Sequence, residues 1–234
     1  MTMQRKKYHC STPALIIQKS LEMFNRYGER QVTTNHIAQQ LELSTGNLYY
    51  HYGSKEEIII ELIAQYISKF DALMRTTLDS DATLDNFINL LEDLISLRWQ
   101  YRFIINSKFG AFLYNDKLNS AYFSSEKTCL TANKNKLFCI LLENGILKKT
   151  TDTAMLAHQF SLLLEAWLSM QVSNAEAVNP QTVILNGSFY MMMFILPSIS
   201  DQWAEEITKL LQENRRQCKE PPINNEPLYT QSMV

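Results

Sequence analysis

Most signatures of secreted, membrane-spanning or metal-binding proteins are missing from this sequence of 234 residues. Its four cysteines form no C-x-x-C pair and have no histidine at ligand spacing, which favours free thiols in a reducing compartment. The first residues are polar and basic and lead into no apolar segment, so a signal peptide is not expected. The most apolar stretch, Val183 to Leu196, is too short to cross a bilayer. We therefore expect a cytoplasmic protein that makes no membrane contact.

Motifs of the common enzyme classes are missing as well. The sequence contains no glycine-rich phosphate loop, no H-E-x-x-H and no G-x-S-x-G, which are the patterns that bind phosphates, zinc or acyl groups. His9 and Cys10 are adjacent, but no acid that would orient this pair is evident. We therefore predict that the protein is not an enzyme and needs no cofactor.

A strong excess of one charge is absent, since the net charge is -2, but the charge is unevenly distributed. Residues 1–56 carry seven Lys or Arg against four acids, a net charge of +3, which leaves -5 for the rest of the chain. A positive end on a negative body can bind a polyanion at that end alone. The basic run Arg5-Lys6-Lys7 is either a solubilising end or an arm that reaches into a flanking minor groove.

Helical signals run along the chain, and no segment alternates like a strand, so we predict an all-α fold. Thr12 and Pro13 resemble an N-cap and a first helical position, and Gly28 suits a left-handed helix end. Ser54 and Glu57 have the spacing of a capping box at the start of a long helix. From there onward we predict helices near residues 55–77, 83–101, 103–114, 120–145, 153–174, 181–196 and 201–217.

The segment from Val32 to Ile58 has the pattern of a helix-turn-helix. Two short helices, 34–41 and 45–50, flank a tight turn at residues 41–43. Such a turn lets the second helix enter the major groove of DNA, which is about 12 Å wide. The small core that this arrangement needs is supplied by Ile37, Ala38, Leu41, Leu43 and Leu48.

At these residues the sequence resembles the TetR family of transcriptional regulators. Two positions depart from the family pattern: Glu42 replaces a frequent glycine, which implies strain if its φ is positive, and Tyr52 replaces a phenylalanine. The resemblance covers residues 12–62, and beyond them only the helical layout and the size are similar. The matching residues are Gly28, Val32-Thr33-Thr34, Ile37-Ala38, Ser44-x-Gly46-x-Leu48-Tyr49-x-His51-Tyr52 and Lys55, after a helix that contains Phe24.

The resemblance implies a role for each matching surface residue. Tyr49 and Tyr50 could alternatively be ordinary surface aromatics. We divide the chain into a DNA-binding domain at residues 1–56, a ligand-sensing and dimerisation domain at 57–218, and a flexible tail at 219–234. Bases or their sugars would be contacted by Asn35, Thr45, Gly46, Asn47, Tyr49 and Tyr50, and phosphates by Thr33, Thr34, His51 and Lys55.

Aromatic residues are concentrated between Trp99 and Phe123. Most of them belong in a core, but aromatic and Met side chains also line cavities for apolar ligands. Polar groups that could orient a ligand there are Arg98, Arg102, His158 and Glu165. The predicted pocket for a small apolar ligand consists of Trp99, Phe103, Phe109, Phe112, Phe123 and His158.

Two apolar segments near the end of the chain favour a homodimer. The segment 183–196 is apolar almost all round and must be covered on every side, and a partner subunit is its natural cover. The resemblance implies the same, as a four-helix bundle between subunits. On the predicted helix 153–174, apolar residues recur at intervals of four, three, four and three residues (a 4-3-4-3 spacing), at Leu156, Phe160, Leu163, Trp167 and Met170. The predicted interface consists of Phe160, Leu163, Trp167, Phe189 and Met193.

We therefore predict a ligand-responsive regulator that binds double-stranded operator DNA. As a homodimer it would recognise a palindromic operator, and ligand binding would release it. Repression is the expected outcome, although activation stays open. A redox sensor built on Cys129 and Cys139 is an alternative, but ten residues on one helix would separate them by about 15 Å, too far for a disulfide without rearrangement.

Overall fold

The computed structural model describes residues 11–78, 83–107, 115–125, 131–172 and 178–217. The only β pairing in these ranges is an isolated bridge between Leu147 and Ile199, so the all-α prediction is confirmed. None of the helices in these ranges is long and apolar enough to span a membrane. The helices are α1 (Thr12–Tyr27), α2 (Thr34–Gln40), α3 (Thr45–His51), α4 (Lys55–Leu78), α5 (Leu84–Gln100), α6 (Phe103–Ser107), α7 (Asp116–Ser125), α8 (Thr131–Glu143), α9 (Thr153–Val172), α10 (Pro180–Ile195) and α11 (Asp201–Gln217).

The described helices differ from the predicted ones at several ends. The helix predicted over 120–145 corresponds to α7 and α8, of which α7 begins earlier, at Asp116, and the helix predicted over 103–114 is described as far as the end of α6. Residues 108–114 and 126–130 lie outside the described ranges. Thr12 is the first residue of α1, whose N-cap is Ser11. Apolar periodicity locates a helix better than its ends, because a terminal turn has few buried positions.

The first three helices, which we call the head, fold around one small core that α4 closes. Phe24, Ile37 and Leu48 come from α1, α2 and α3, and each is almost fully buried. Ile58, in the first turn of α4, is fully buried against them. Gly28 ends α1 with φ of 77°, a positive φ as predicted for that position. The core thus leaves the outer surfaces of α2 and α3 for other contacts.

Helices α5 to α11, which we call the body, are organised around α10, which lies between α5 and α9. Gly187 permits this close crossing, because a Cβ there would lie 2.8 Å from the ring of Trp167 and 2.9 Å from Ile95. Its own subunit therefore covers much of α10. This corrects the expectation that a partner subunit is the natural cover of α10: a partner is needed only for the face that remains exposed.

The head contacts the body at the turn between α5 and α6. The side chain of Asn25 in α1 donates to the carbonyl oxygen of Gln100 at 2.8 Å and accepts from the N–H of Phe103 at 3.0 Å. The rings of Phe24 and Phe103 lie 5.5 Å apart, centroid to centroid. One helix of the head is thus joined directly to this turn of the body.

Candidate nucleic-acid interface

The turn between α2 and α3 sets the direction of the second helix. Its closing hydrogen bond runs from the N–H of Leu43 to the carbonyl oxygen of Ala38, at 2.9 Å. Glu42 has φ of 55° and is the one non-glycine residue with positive φ in the described ranges. A side chain in this conformation costs about 1–2 kcal/mol. The strain expected from this departure from the family pattern is therefore present.

Both helices of the motif begin at side-chain caps. The Oγ1 of Thr33 accepts from the N–H of His36 at 3.2 Å, and the Nδ1 of His36 accepts from the N–H of Thr33 at 3.4 Å. The Oγ of Ser44 accepts from the N–H of Asn47 at 3.1 Å. Such a cap stabilises a helix by about 1 kcal/mol. The capping role of His36 was not predicted, because a capping box usually has Glu or Gln at that position.

One face of α3 is polar and exposed. Residues 45–47 at its start are exposed, whereas Leu48 is fully buried. Tyr50 is 84% exposed and Tyr49 is 49% exposed. A Cβ added at Gly46 would meet no other atom within 4 Å. Packing within this chain therefore does not require a glycine at position 46.

The predicted phosphate-binding side chains lie beside this face. Thr33 is exposed, and Thr34 is half-buried, with its hydroxyl 3.0 Å from the hydroxyl of Tyr49. His51 is half-buried and meets the ring of Tyr50 edge-on, with centroids 5.1 Å apart. The contact between Thr34 and Tyr49 joins α2 to α3 on the exposed side, and it was not predicted.

Lys55 is partly engaged within the head. Its Nζ donates to the carbonyl oxygen of Glu29 at 2.8 Å, which leaves two of its three donors for other acceptors. The N–H of Gly53 donates to Oε2 of Glu57 at 2.7 Å, and the N–H of Glu57 donates to Oγ of Ser54 at 3.3 Å. The Glu57 carboxylate of the predicted capping box therefore accepts from the N–H of Gly53 and not from that of Ser54. These two amides are therefore occupied within the chain.

The residues predicted to line a ligand pocket have different surroundings. Trp99 and Phe103 are buried, but Phe103 packs against Phe24 of the head. His158 is exposed on α9, which corrects its assignment to an apolar interior. The pocket therefore stays a prediction. Outside the described residues lie Phe109, Phe112 and the side chain of Phe123.

Two of the polar groups considered for ligand binding are instead paired with each other. Arg98 of α5 and Glu165 of α9 form an ion pair in which the guanidinium is buried. Removing one partner of a buried pair leaves an uncompensated charge, so this pair is structural. Cys139 is an exposed free thiol. The redox alternative stays untested, because Cys129 lies outside the described ranges. The basic run Arg5-Lys6-Lys7 and the tail 219–234 lie outside them as well.

Only part of the 4-3-4-3 stripe of α9 faces outward: Leu163 and Met170 are exposed, whereas Leu156 is buried. Phe160 is buried inside its own subunit, where its ring lies 5.4 Å from that of Phe138. Its assignment to a dimer interface is therefore wrong. Trp167 is half-buried and packs beside Tyr190, with ring centroids 6.2 Å apart.

An exposed apolar surface nevertheless extends over α9 and α10. Leu163 and Met193 belong to it as predicted for interface residues, and Phe189 is half-buried at its edge beside Tyr190. Met170, its most exposed residue, lies on the predicted stripe, whereas Leu162 and Met155 lie outside that stripe and were not predicted. We call this surface the α9–α10 patch, and its large exposed residues are Met155, Leu162, Leu163, Met170, Tyr190 and Met193.

Two parts of the chain match descriptions of one protein family. Residues 16–62 match bacterial regulatory proteins of the tetR family, and residues 65–207 match a bacterial transcriptional repressor description of TetR. The chain therefore belongs to the TetR family of bacterial transcriptional regulators. Members of this family are DNA-binding regulators without enzymatic activity, so the prediction that the chain is not an enzyme is confirmed by its family.

Solved structures of TetR-family regulators have a similar fold. A regulator from Marinobacter aquaeolei VT8 is 26% identical with a TM-score of 0.78, and the match covers 88% of this chain and 99% of that one. The ketosteroid transcriptional regulator KstR2 of Mycobacterium tuberculosis has a TM-score of 0.61 at 17% identity, with 85% and 98% covered. SmeT, the repressor of the Stenotrophomonas maltophilia multidrug efflux pump SmeDEF, has a TM-score of 0.59 at 15% identity, with 82% and 92% covered. At these low identities the last two show the fold alone.

The transcriptional repressor KstR2 of Mycobacterium tuberculosis H37Rv also matches in sequence, at 33% identity over 67 residues. The match covers 29% of this chain, and this chain spans about a third (34%) of the length of that relative. TetR-family regulators bind operator DNA, dimerise and bind small molecules.

Proposed function

We propose that this chain is a homodimeric repressor that binds a palindromic operator and is released by a small apolar ligand. The observation that carries this proposal is the exposed polar face of α3, which projects from a head with a closed core. Small and polar side chains at the start of such a helix suit the major groove, where base edges can be read. The domain division at residues 1–56, 57–218 and 219–234 is part of the proposal.

The base contacts fall to the start and the outer side of α3. Asn47 is exposed in its first turn, and an Asn side chain can form two hydrogen bonds with adenine. Tyr50 is the most exposed large side chain of this helix. Contacts with bases or sugars are assigned in addition to Asn35, Thr45, Gly46 and Tyr49.

The phosphate contacts fall to hydroxyl and cationic groups at the edges of this surface. The oxygen of Thr33 already accepts a hydrogen bond from His36, so its hydroxyl proton is available to a phosphate oxygen. Lys55 keeps two donors beyond its bond to Glu29. Thr34 and His51 are assigned to phosphates as well. Phosphate contacts orient the protein on the duplex without reading its sequence.

The α9–α10 patch supports the homodimer. Leu162 and Met170 are 57% and 69% exposed, and contiguous exposed apolar surface marks an interaction site. A twofold axis would bury the patch of each subunit against that of the other. The dimer would then place two copies of α3 about 34–36 Å apart, on successive major grooves. A ligand that binds one arrangement of the heads more tightly would shift their population and release DNA.

The test compares two exposed tyrosines. The operator is first located by footprinting, and its affinity for the wild type, Tyr50→Ala and Tyr27→Ala is then titrated at fixed salt. Tyr27 is 52% exposed but lies on α1, so its replacement serves as the control. We expect Tyr50→Ala to lose about 1–3 kcal/mol per half-site and Tyr27→Ala to retain wild-type affinity. Equal affinities for all three proteins would contradict the placement of α3.

A further inference from the structure

Arg102, in the turn between α5 and α6, is a cation without an acidic partner among the described residues. Its Nη1 donates to the carbonyl oxygen of Trp99 at 3.2 Å, and its guanidinium lies 4.9 Å from the centroid of the Trp99 ring. Its Nε is buried and has no hydrogen-bond partner in the described structure. Burial lowers the pKa of the Arg102 side chain from its ordinary value. The Nε of this guanidinium is therefore desolvated and lacks an acceptor among the described residues.

Arg98, one helical turn earlier, shows that this chain supplies a carboxylate to a buried guanidinium elsewhere. Arg98 is paired with Glu165, whereas no ion pair of Arg102 occurs among the described residues. A buried polar group without a partner is costly. Three buried side-chain atoms lack a hydrogen-bond partner among the described residues: Ser20 Oγ, Arg102 Nε and Trp203 Nε1. Only Arg102 Nε belongs to a charged group, so this edge of the guanidinium is the one that favours an external anionic acceptor.

We propose that Arg102 binds the anionic group of the effector, so that the effector is an amphipathic carboxylate instead of a neutral apolar molecule. A guanidinium offers two parallel N–H donors to a carboxylate, a geometry that an alcohol or an ester cannot match. The buried rings of Trp99 and Phe103 beside Arg102 suit the apolar part of such a molecule. This inference rests on the proposed function, whose ligand class it narrows.

The position of Arg102 also supplies a route from the anion to the DNA. Phe103 follows Arg102 directly, and its N–H is bound by Asn25 of the head. Asn25 holds Gln100 on the other side of the same turn. An anion that pulls on Arg102 therefore acts on a turn whose two ends are hydrogen-bonded to α1. In this arrangement Asn25 is a positioning residue and does not touch the effector.

The experiment compares decanoate with decanol, two probes of equal chain length that differ in charge. Their dissociation constants are measured by calorimetry on the full chain, for the wild type, Arg102→Met and Arg75→Met. Arg75 is an exposed arginine paired with Asp71 on α4, so its replacement controls for the loss of one positive charge. We expect decanoate to bind the wild type and Arg75→Met about 10- to 100-fold more tightly than decanol. In Arg102→Met that preference should disappear through weaker binding of decanoate, with decanol unchanged.

Two results would overturn the proposal. One is that the wild type binds decanoate and decanol with equal dissociation constants, or binds neither probe. The other is a preference for decanoate that survives in Arg102→Met. If Arg102→Met does not fold, Arg102→Gln provides the same comparison.

A measurement without probe separates an anion site from a structural arginine. If the charge of Arg102 has no other partner in the free protein, Arg102→Met should lose only the hydrogen bond to the carbonyl oxygen of Trp99 and the contact with the Trp99 ring, about 1–2 kcal/mol in all. A fall in melting temperature of more than about 8 °C, roughly 2–4 kcal/mol for a chain of this size, would show that the free protein already stabilises the charge and would overturn the proposal. Operator titration of the wild type without probe tests the repressor function separately. Failure of that titration, with the decanoate preference intact, would overturn only the proposed function.

Discussion

The head and the body both expose large apolar side chains, but of different chemical kinds. On α3 the exposed large residues are Tyr49 and Tyr50, whose hydroxyl groups can bond to a polar partner. On the α9–α10 patch five of the six are Leu or Met, which carry no hydroxyl or amide, and only Tyr190 has a hydroxyl. The first surface suits DNA, and the second suits another apolar protein surface. The difference teaches that the chemistry of exposed residues separates the two binding surfaces better than their hydrophobicity does.

The largest expected effect comes from a charge placed in the α9–α10 patch. Met170→Glu would bury an unpaired carboxylate in each subunit of the dimer, at a cost of about 3–5 kcal/mol per subunit. Because Met170 is 69% exposed in the single chain, the monomer should fold normally. We expect sedimentation to detect a folded monomer with weak, non-specific DNA binding.

The matched control for that change is Leu15→Glu, which introduces the same charge at an exposed apolar residue of α1. Its product should remain a dimer in sedimentation. If Met170→Glu remains a dimer, the α9–α10 patch is not part of the dimer interface. Trp167→Glu is a poorer probe, because Trp167 also contacts α10 of its own subunit.

Two glycines sharpen the comparison, and the first lies in the head. A Cβ at Gly46 meets nothing within the chain, so Gly46→Ala should stabilise α3 by about 0.4–1 kcal/mol. The added methyl group would stand between α3 and the bases, where we expect a loss of about 1–3 kcal/mol in operator affinity per half-site. Thermal unfolding and operator titration on the same samples measure both effects. Unchanged operator affinity would move Gly46 out of the DNA contact.

The second glycine lies in the body, where the opposite result is expected. A Cβ at Gly187 would lie 2.8 Å from the ring of Trp167, so α9 and α10 must separate slightly in Gly187→Ala. Overpacking of this kind costs about 1–3 kcal/mol. Denaturant unfolding should report this loss. A Gly187→Ala protein as stable as the wild type would show that the crossing is looser than its geometry indicates.

The smallest expected effect concerns the end of α3. The hydroxyl of Tyr52 donates to Oε2 of Glu61 at 2.7 Å, and removing it in Tyr52→Phe should cost about 1 kcal/mol. Burial, and then the contact with Glu61, raises the pKa of Tyr52 in the folded protein. The unfolded tyrosine ionises near pH 10 while the folded one does not, so the contribution is complete below about pH 10 and is lost as the pH rises further. The stability difference between Tyr52→Phe and the wild type should therefore shrink above pH 10, and a difference that stays constant to pH 11 would contradict the assignment.

The head was largely predictable because its signals are local. Gly28 and Glu42 are turn positions, and Ser44 is a cap, whose physical consequences span only a few residues. What escaped prediction there is the pairing of groups from different helices. Thr34 with Tyr49, and Lys55 with Glu29, are brought together by the packing of the helices.

Taken alone, the sequence determined the helix-turn-helix, the all-α fold and the presence of apolar stripes on α9 and α10. Only the tertiary structure decided which edge of each stripe faces outward. Phe160 and Met170 belong to one 4-3-4-3 pattern, yet the first is buried and the second is exposed. The physical reason is that helical periodicity identifies an apolar face but not its neighbour, since the core of one subunit and the surface of another bury the same side chains. Packing likewise placed Phe103 against the head and left Arg102 without a carboxylate in the described structure.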